Sequence, residues 1–139
     1  MENYADLKGA RVLVVDDNEY QAKYIADLLA DVKAVAVTVT SGAKALELLS
    51  GDGVDSEFSC VLMDLGMPGM DGFETATRIR QLGTVSMSRL PIICMAGGGD
   101  AADKDRIYSI GMNGWIAKPV NPQELYANLR RTINQTFLG

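Results

Sequence analysis

The sequence predicts an α/β protein: a doubly wound sheet of five parallel strands in the order 2-1-3-4-5, a (βα)5 chain. Two observations predict it. Short apolar runs, bounded by Gly, Pro, Asp or Ser, recur five times with the length and composition of buried strands. Between them lie stretches with helical caps and helical periodicity. Strict alternation of this kind requires parallel strands joined by crossover helices, which cover both faces of the sheet. A length of 139 residues suits one such unit.

The five runs are residues 12–15, 35–39, 60–63, 92–95 and 115–117. A first helix is expected from Asn18 to Ala30, with Tyr20, Tyr24 and Leu28 on one stripe and Ile25 and Leu29 beside it. Ser41 can cap a second helix that runs to Ser50 and stops at Gly51. Asp71 and Glu74 have capping-box spacing for a third. Asp100 can cap a fourth that ends at Gly111. Asn121, Pro122 and Glu124 open the last helix with a cap, a proline at N1 and an acid at N3, and Leu125, Leu129 and Ile133 form its core face. Residues 51–57 read as a loop and 1–10 as an N-terminal linker, leaving 11–136 as the folded domain. Five units of this type match the flavodoxin-like strand order.

Composition narrows the function. The net charge of -5 argues against direct nucleic-acid binding, which needs clustered Lys and Arg. The one adjacent basic pair, Arg130-Arg131, reads as a solvated helix end. No apolar run reaches the ~18–20 residues of a membrane span, and the polar, acidic start at Met1-Glu2-Asn3 is unlike a signal peptide. The expected location is the cytoplasm, or the cytoplasmic portion of a larger membrane protein. Cys60 and Cys94 each sit in an apolar run and read as free buried thiols. With no His in the chain, phosphohistidine chemistry, His acid–base catalysis and most transition-metal sites are excluded within it.

The chemistry sits where the strands end. Asp16-Asp17 follow the first run, Asp64 the third and Lys118-Pro119 the fifth. In a doubly wound sheet these ends share one edge, where ligands bind. Each residue alone has a bland reading: Asp16 or Asp17 as a helix cap, Asp64 as a turn residue. Together they concentrate like charge. A carboxylate pair at ~4 Å and an effective dielectric of 20 repels by about 4 kcal/mol. A hard divalent cation such as Mg2+ offsets this, and Lys118 adds a further positive charge.

The segments Val14-Val15-Asp16-Asp17-Asn18, Met63-Asp64-Leu65-Gly66-Met67-Pro68-Gly69-Met70-Asp71-Gly72 and Ala117-Lys118-Pro119 resemble the receiver domains of two-component signalling, over residues 10–133. The resemblance implies that Asp64 is the phosphoacceptor and that Asp16 and Asp17 hold Mg2+, Asp17 more directly. It also implies that the Gly66 carbonyl completes the metal shell and that Lys118 contacts the phosphoryl oxygens. The donor would be a phosphohistidine on a kinase or phosphotransfer domain, and a phosphotransfer protein could be the next acceptor. Residues 7–13 and 111–125 resemble receivers attached to hybrid sensor histidine kinases, which implies a segment of such a kinase rather than a free-standing enzyme. Backbone amides of Gly97, Gly98 and Gly99 could add donors, although a flexible loop is the simpler reading.

The pattern breaks at two positions. Ala96 stands where the family carries a Thr or Ser whose hydroxyl binds the phosphoryl group, and Trp115 stands at the switch position of Tyr, Phe or His. Trp115 reads equally as a ring covering the sheet edge. A hydrogen bond to a charged group contributes ~1.5–3 kcal/mol, so phosphorylation should proceed while its coupling to the active conformation weakens. The alternative is a pseudo-receiver, a phosphorylation-independent interaction module. An aspartate-nucleophile phosphatase is disfavoured because Gly66, two residues beyond Asp64, cannot donate a proton. A flavin site is disfavoured because the first loop lacks a Ser/Thr-rich phosphate cradle. Ala96→Thr should enlarge the conformational response to phosphorylation; NMR shift mapping with no enlargement would rule out the missing hydroxyl as the cause of weak coupling.

Overall fold

The computed structural model describes residues 4–50, 58–97 and 104–138. Five strands, β1 Arg11–Val15, β2 Val35–Val39, β3 Cys60–Asp64, β4 Ile92–Ala96 and β5 Gly114–Ala117, form one sheet in the order β2-β1-β3-β4-β5. Every pairing is parallel. The expected topology is therefore the one observed. Between the strands run α1 Glu19–Asp31, α2 Gly42–Leu49, α3 Gly72–Arg80, α4 Val85–Arg89 and α5 Lys104–Ile110, with α6 Pro122–Leu138 last. The expected cap at Asp100, the stop at Gly51, the loop 51–57 and Gly98-Gly99 lie outside the described residues.

Alternation along the strands builds two cores. Leu13, Val15, Val61, Met63, Ile92 and Cys94 face α2, α3, α4 and α5. Val12, Val14, Cys60, Leu62, Ile93 and Met95 face α1 and α6. β3 and β4 are buried at every residue, which is why they read as continuous apolar runs rather than alternating ones. Both cysteines are buried and neither forms a disulfide, and desolvation pushes the Cys60 thiol up to about 12.

Caps lie where the sequence places them. The Asn18 side chain accepts from the N–H groups of Tyr20 and Gln21, Ser41 from Lys44, Asp71 from Glu74 and Asn121 from Glu124. Glu74 itself pairs with Arg78 at 2.9 Å.

Four local features correct or add to the sequence reading. The buried face of α1 is Ala22, Ile25 and Leu29, whereas Tyr20 is 89% and Tyr24 41% exposed. The tyrosine stripe lies outside because a phenol carries a polar end that seeks a partner or water, and the Tyr24 hydroxyl donates to the Val120 carbonyl at 3.0 Å. Helix α4 was not anticipated, being too short to show periodicity; the Thr84 hydroxyl caps it by accepting from the Met87 N–H. The described part of the stretch read as a linker, residues 4–10, packs on the domain. Ala5–Leu7 form a 3-10 turn, Leu7 is 1% exposed, and the Tyr4 ring lies 4.8 Å from that of Tyr126. Arg130-Arg131 lies inside α6 rather than at its end; Arg130 pairs with Asp6 at 3.1 Å and Arg131 donates to the Asn128 amide oxygen.

Arg80, the last residue of α3, ties the α4 segment to the loop between α5 and β5. Its guanidinium donates to the carbonyls of Met87, Leu90 and Gly111, twice to the last, and to the Asn113 amide oxygen. All five donors of the group are engaged, and none by a carboxylate. Gly111 follows α5 with φ +104, a conformation that favours glycine. Burial holds the Arg80 pKa below its usual value.

Helix α1 ends on an unusual residue. Lys33 has φ 63, with its N–H donating to Ala30 and the Ala34 N–H donating to Leu29. This is the glycine position of a helix C-terminus. Left-handed backbone costs an L-residue ~1–2 kcal/mol and glycine's extra chain entropy returns ~0.5–1, so Lys33→Gly should stabilise the domain by about 0.5–1 kcal/mol. The check is a higher urea midpoint at unchanged slope.

Candidate functional site

β1, β3 and β5 deliver their chemistry to one edge of the sheet. Asp16 follows β1, its N–H held by the Val39 carbonyl at 3.1 Å. Asp64 is the last residue of β3. Lys118 follows β5, its N–H donating to the Ala96 carbonyl at 2.9 Å. The Lys118 ammonium reaches Asp64 Oδ1 at 2.5 Å, and the Gly66 N–H donates to the same oxygen at 3.1 Å. One carboxylate oxygen from each of Asp16, Asp17 and Asp64 lies within 4.8 Å of the others. Asp16 and Asp64 are buried and Asp17 is exposed. Residues from three distant parts of the sequence thus share one cleft.

Asp16 Oδ1 accepts the Asn18 N–H at 2.9 Å, but its buried Oδ2 has no partner. Burial chiefly, and then the neighbouring Asp64 charge, push the Asp16 carboxyl up to about 6, against the opposing pull of the Asn18 N–H and Lys118. A buried, unpaired carboxylate oxygen facing two further carboxylates fits a hard cation. All three side-chain donors are oxygens, the set that Mg2+ prefers.

Ala96 ends β4, buried, with a methyl where a hydroxyl was sought, and pairs in register with Ala117. Trp115 is partly buried against the core on the α5 side, and the Lys104 ammonium sits 4.7 Å from its ring centroid. One contributor was read only as a helix start. A Cβ on Gly72 would fall 2.4 Å from the Asp64 carbonyl oxygen and 2.8 Å from the Leu65 Cα. Only glycine lets the first turn of α3 abut the segment that carries Asp64. The signal lay in the Asp71-Gly72 pair, beyond its capping spacing.

A family model described as response regulator receiver domain matches residues 12–130. The chain belongs to that family. Among its relatives is histidine kinase 3 of Arabidopsis thaliana, 31% identical over 146 residues, covering 92% of this chain and 14% of that protein. Sensor histidine kinase RcsC of Escherichia coli K12 is 37% identical over 109 residues, covering 78% of this chain and 11% of that protein. The chain therefore spans only a small part of these two relatives. Among solved structures, chemotaxis protein CheY4 of Vibrio cholerae superposes with a TM-score of 0.79 at 27% identity, over 89% of this chain and 98% of that one. The receiver domain of a Pseudomonas aeruginosa sensor histidine kinase, solved with a magnesium ion coordinated in its active-site cleft, gives 0.78 at 27% identity, over 91% and 98%. No helix among the described residues is long and apolar enough to cross a membrane.

The raised Asp16 pKa has a stability consequence. Between the ordinary value of 3.8 and about 6, the folded state holds a proton that the unfolded chain has lost, so stability falls as pH rises through that window and the penalty persists above it. Asp16→Asn keeps an oxygen for the Asn18 N–H and removes the charge. It should raise the thermal midpoint of the metal-free domain at pH 7.5 by a few degrees, and the gain should shrink as pH falls from 6 to 4. A pH series of thermal melts in chelator checks this.

Proposed function

We propose that this receiver domain accepts a phosphoryl group on Asp64 from a phosphohistidine of a partner protein, in a magnesium-dependent reaction. The observation that supports it best is the Lys118–Asp64 pair at 2.5 Å, set beside two further carboxylates at one sheet edge. In the reaction, an Asp64 oxygen forms a bond to phosphorus while the phosphorus–nitrogen bond of the donor breaks and the imidazole nitrogen takes up a proton. Such transfer depends on positioning and charge neutralisation more than on covalent assistance. Lys118 and the Gly66 N–H hold one oxygen of Asp64 and so orient the carboxylate. Lys118 is also placed to donate to an incoming phosphoryl oxygen as its second partner. Bound Mg2+ would supply the remaining positive charge, and Asp16, Asp17, Asp64 and the Gly66 carbonyl are the groups that would hold it.

We read residues 11–136 as the receiver segment of a hybrid sensor histidine kinase, on the cytoplasmic side. The sequence of residues 111–125 and the two histidine-kinase relatives support this. The next acceptor would be a phosphotransfer protein. Ala96 lends support to a second reading, an interaction module that does not use phosphate, because the hydroxyl partner for a phosphoryl oxygen is missing there.

Intact mass after incubation with Mg2+ and a small-molecule phosphodonor separates the two. The phosphoacceptor reading expects one added phosphoryl group, lost in Asp64→Asn and on chelation. No added mass, with no Mg2+-dependent thermal shift, would leave the interaction module.

A further inference from the structure

The Lys118 ammonium is carried on a long, flexible side chain, 29% exposed, so its position depends on the backbone beneath it. That backbone is fixed at both ends. The Lys118 N–H donates to the Ala96 carbonyl at 2.9 Å, and Asn121 caps α6 by accepting from the Glu124 N–H at 3.1 Å. Between them Pro119 has no N–H to give. The Val120 side chain is buried among those of α1 and α6, and the Val120 carbonyl accepts the Tyr24 hydroxyl at 3.0 Å. Tyr24 lies in the second turn of α1. The same helix is tied to the acids at its start, where Asn18 caps it and gives its own N–H to Asp16 Oδ1 at 2.9 Å. Helix α1 therefore meets the site at two points, the acidic turn after β1 and the loop after Lys118. A ring at a partly exposed position, with its hydroxyl on a carbonyl 96 residues further along the chain, acts as a spacer of fixed length between them.

We propose that Tyr24 is a positioning residue: through the Val120 carbonyl its hydroxyl sets the loop that carries Lys118, so that the ammonium meets Asp64. The consequence for chemistry rests on the proposed phosphoryl transfer to Asp64, in which Lys118 holds the carboxylate and then a phosphoryl oxygen. Both tasks need the ammonium in one place, and a misplacement of ~1 Å can slow a reaction by about a hundredfold. Tyr24 touches neither reacting group and acts two residues away from Lys118. Removing its hydroxyl leaves the ring and its packing, turns the Val120 carbonyl over to water and loosens the loop. The molecule supplies a control. Tyr126 on α6 makes the same kind of bond to α1, its hydroxyl donating to the Leu28 carbonyl at 2.6 Å. That bond joins α6 to the C-terminal part of α1, whereas the Tyr24 bond lies on the Lys118 loop.

The test compares wild type, Tyr24→Phe and Tyr126→Phe. In the resting, metal-free proteins, lysine-selective NMR follows hydrogen exchange of the Lys118 ammonium, whose signal is assigned by its loss in Lys118→Arg. One hydrogen bond of this kind shifts a local equilibrium by about two- to tenfold. Tyr24→Phe should therefore speed exchange of the ammonium by about that factor, while Tyr126→Phe matches wild type. With Mg2+ and a fixed concentration of a small-molecule phosphodonor, followed by intact mass, Tyr24→Phe should take up the phosphoryl group about threefold more slowly or worse, and Tyr126→Phe should stay within about twofold of wild type. A small-molecule donor keeps docking of a partner protein on the exposed ring out of the measurement. Unchanged ammonium exchange in Tyr24→Phe overturns the proposal. Equal acceleration in Tyr126→Phe overturns it too, because the effect is then a general loosening of α1 against α6. Faster exchange with uptake at the wild-type rate overturns the role in transfer. Absence of added mass in wild type refutes the phosphoacceptor reading instead, and the comparison of resting proteins still decides whether Tyr24 positions Lys118.

Discussion

The parallel sheet brings like charges together at one edge and removes water from two of them. Asp16 and Asp64 are both buried there, and Asp17 stands within 4.8 Å. A hydrophobic core would be disrupted by such a group at its centre. Here the acids sit at the last turn of strand or just beyond it, where backbone N–H groups and one ammonium can reach them. Lys118 and the Gly66 N–H take one oxygen of Asp64, and the Asn18 N–H takes one oxygen of Asp16. The other Asp16 oxygen is left without a protein partner. The rest of the architecture is consistent with holding this edge in place. β3 and β4, buried on both faces, leave their ends little freedom, and Gly72 lets α3 press directly on the Asp64 backbone.

The two faces of the sheet are packed by different means. On one face α1 and α6 pack with Leu7, Ile25, Leu29, Leu125 and Leu129 fully or almost fully buried, and the N-terminal turn braces α6 through Tyr4 and Asp6. On the other face, α5 buries Ile107 and packs Ile110 partly against the core, with Arg106 over the Phe73 ring and Lys104 over the Trp115 ring. By holding Gly111, Leu90 and Met87 together, Arg80 ties the segment before β5 to the α4 segment.

Much of the fold was legible in the chain. Strands β3 and β4 could be read from unbroken apolar runs, because burial on both faces removes the need for polar alternation. The caps Asn18, Ser41, Asp71 and Asn121 could be read from residue type and spacing, because capping is local. The errors arose where the answer depends on a distant partner. The periodicity of α1 was equally compatible with a tyrosine face and with Ala22, Ile25 and Leu29 inward; the sheet and α6 selected the second. Tyr4, Asp6 and Leu7 looked like linker because their partners, Tyr126 and Arg130, come more than a hundred residues later. Arg80 carries no local signal, because its acceptors lie in α4, just after it and in the loop between α5 and β5.

The sequence by itself determined the strand order, the edge at which the acids meet and the type of chemistry that edge can host. These follow from βα alternation and from which residues close each strand, both written in consecutive residues. Only the tertiary structure decided that the Lys118 ammonium pairs with Asp64 through a 2.5 Å contact, that one Asp16 oxygen is orphaned, and that Arg80 joins the α4 segment to the Gly111 carbonyl. The reason is physical: such contacts depend on distances of a few tenths of an ångström between elements whose separation in space is set by how the whole core packs.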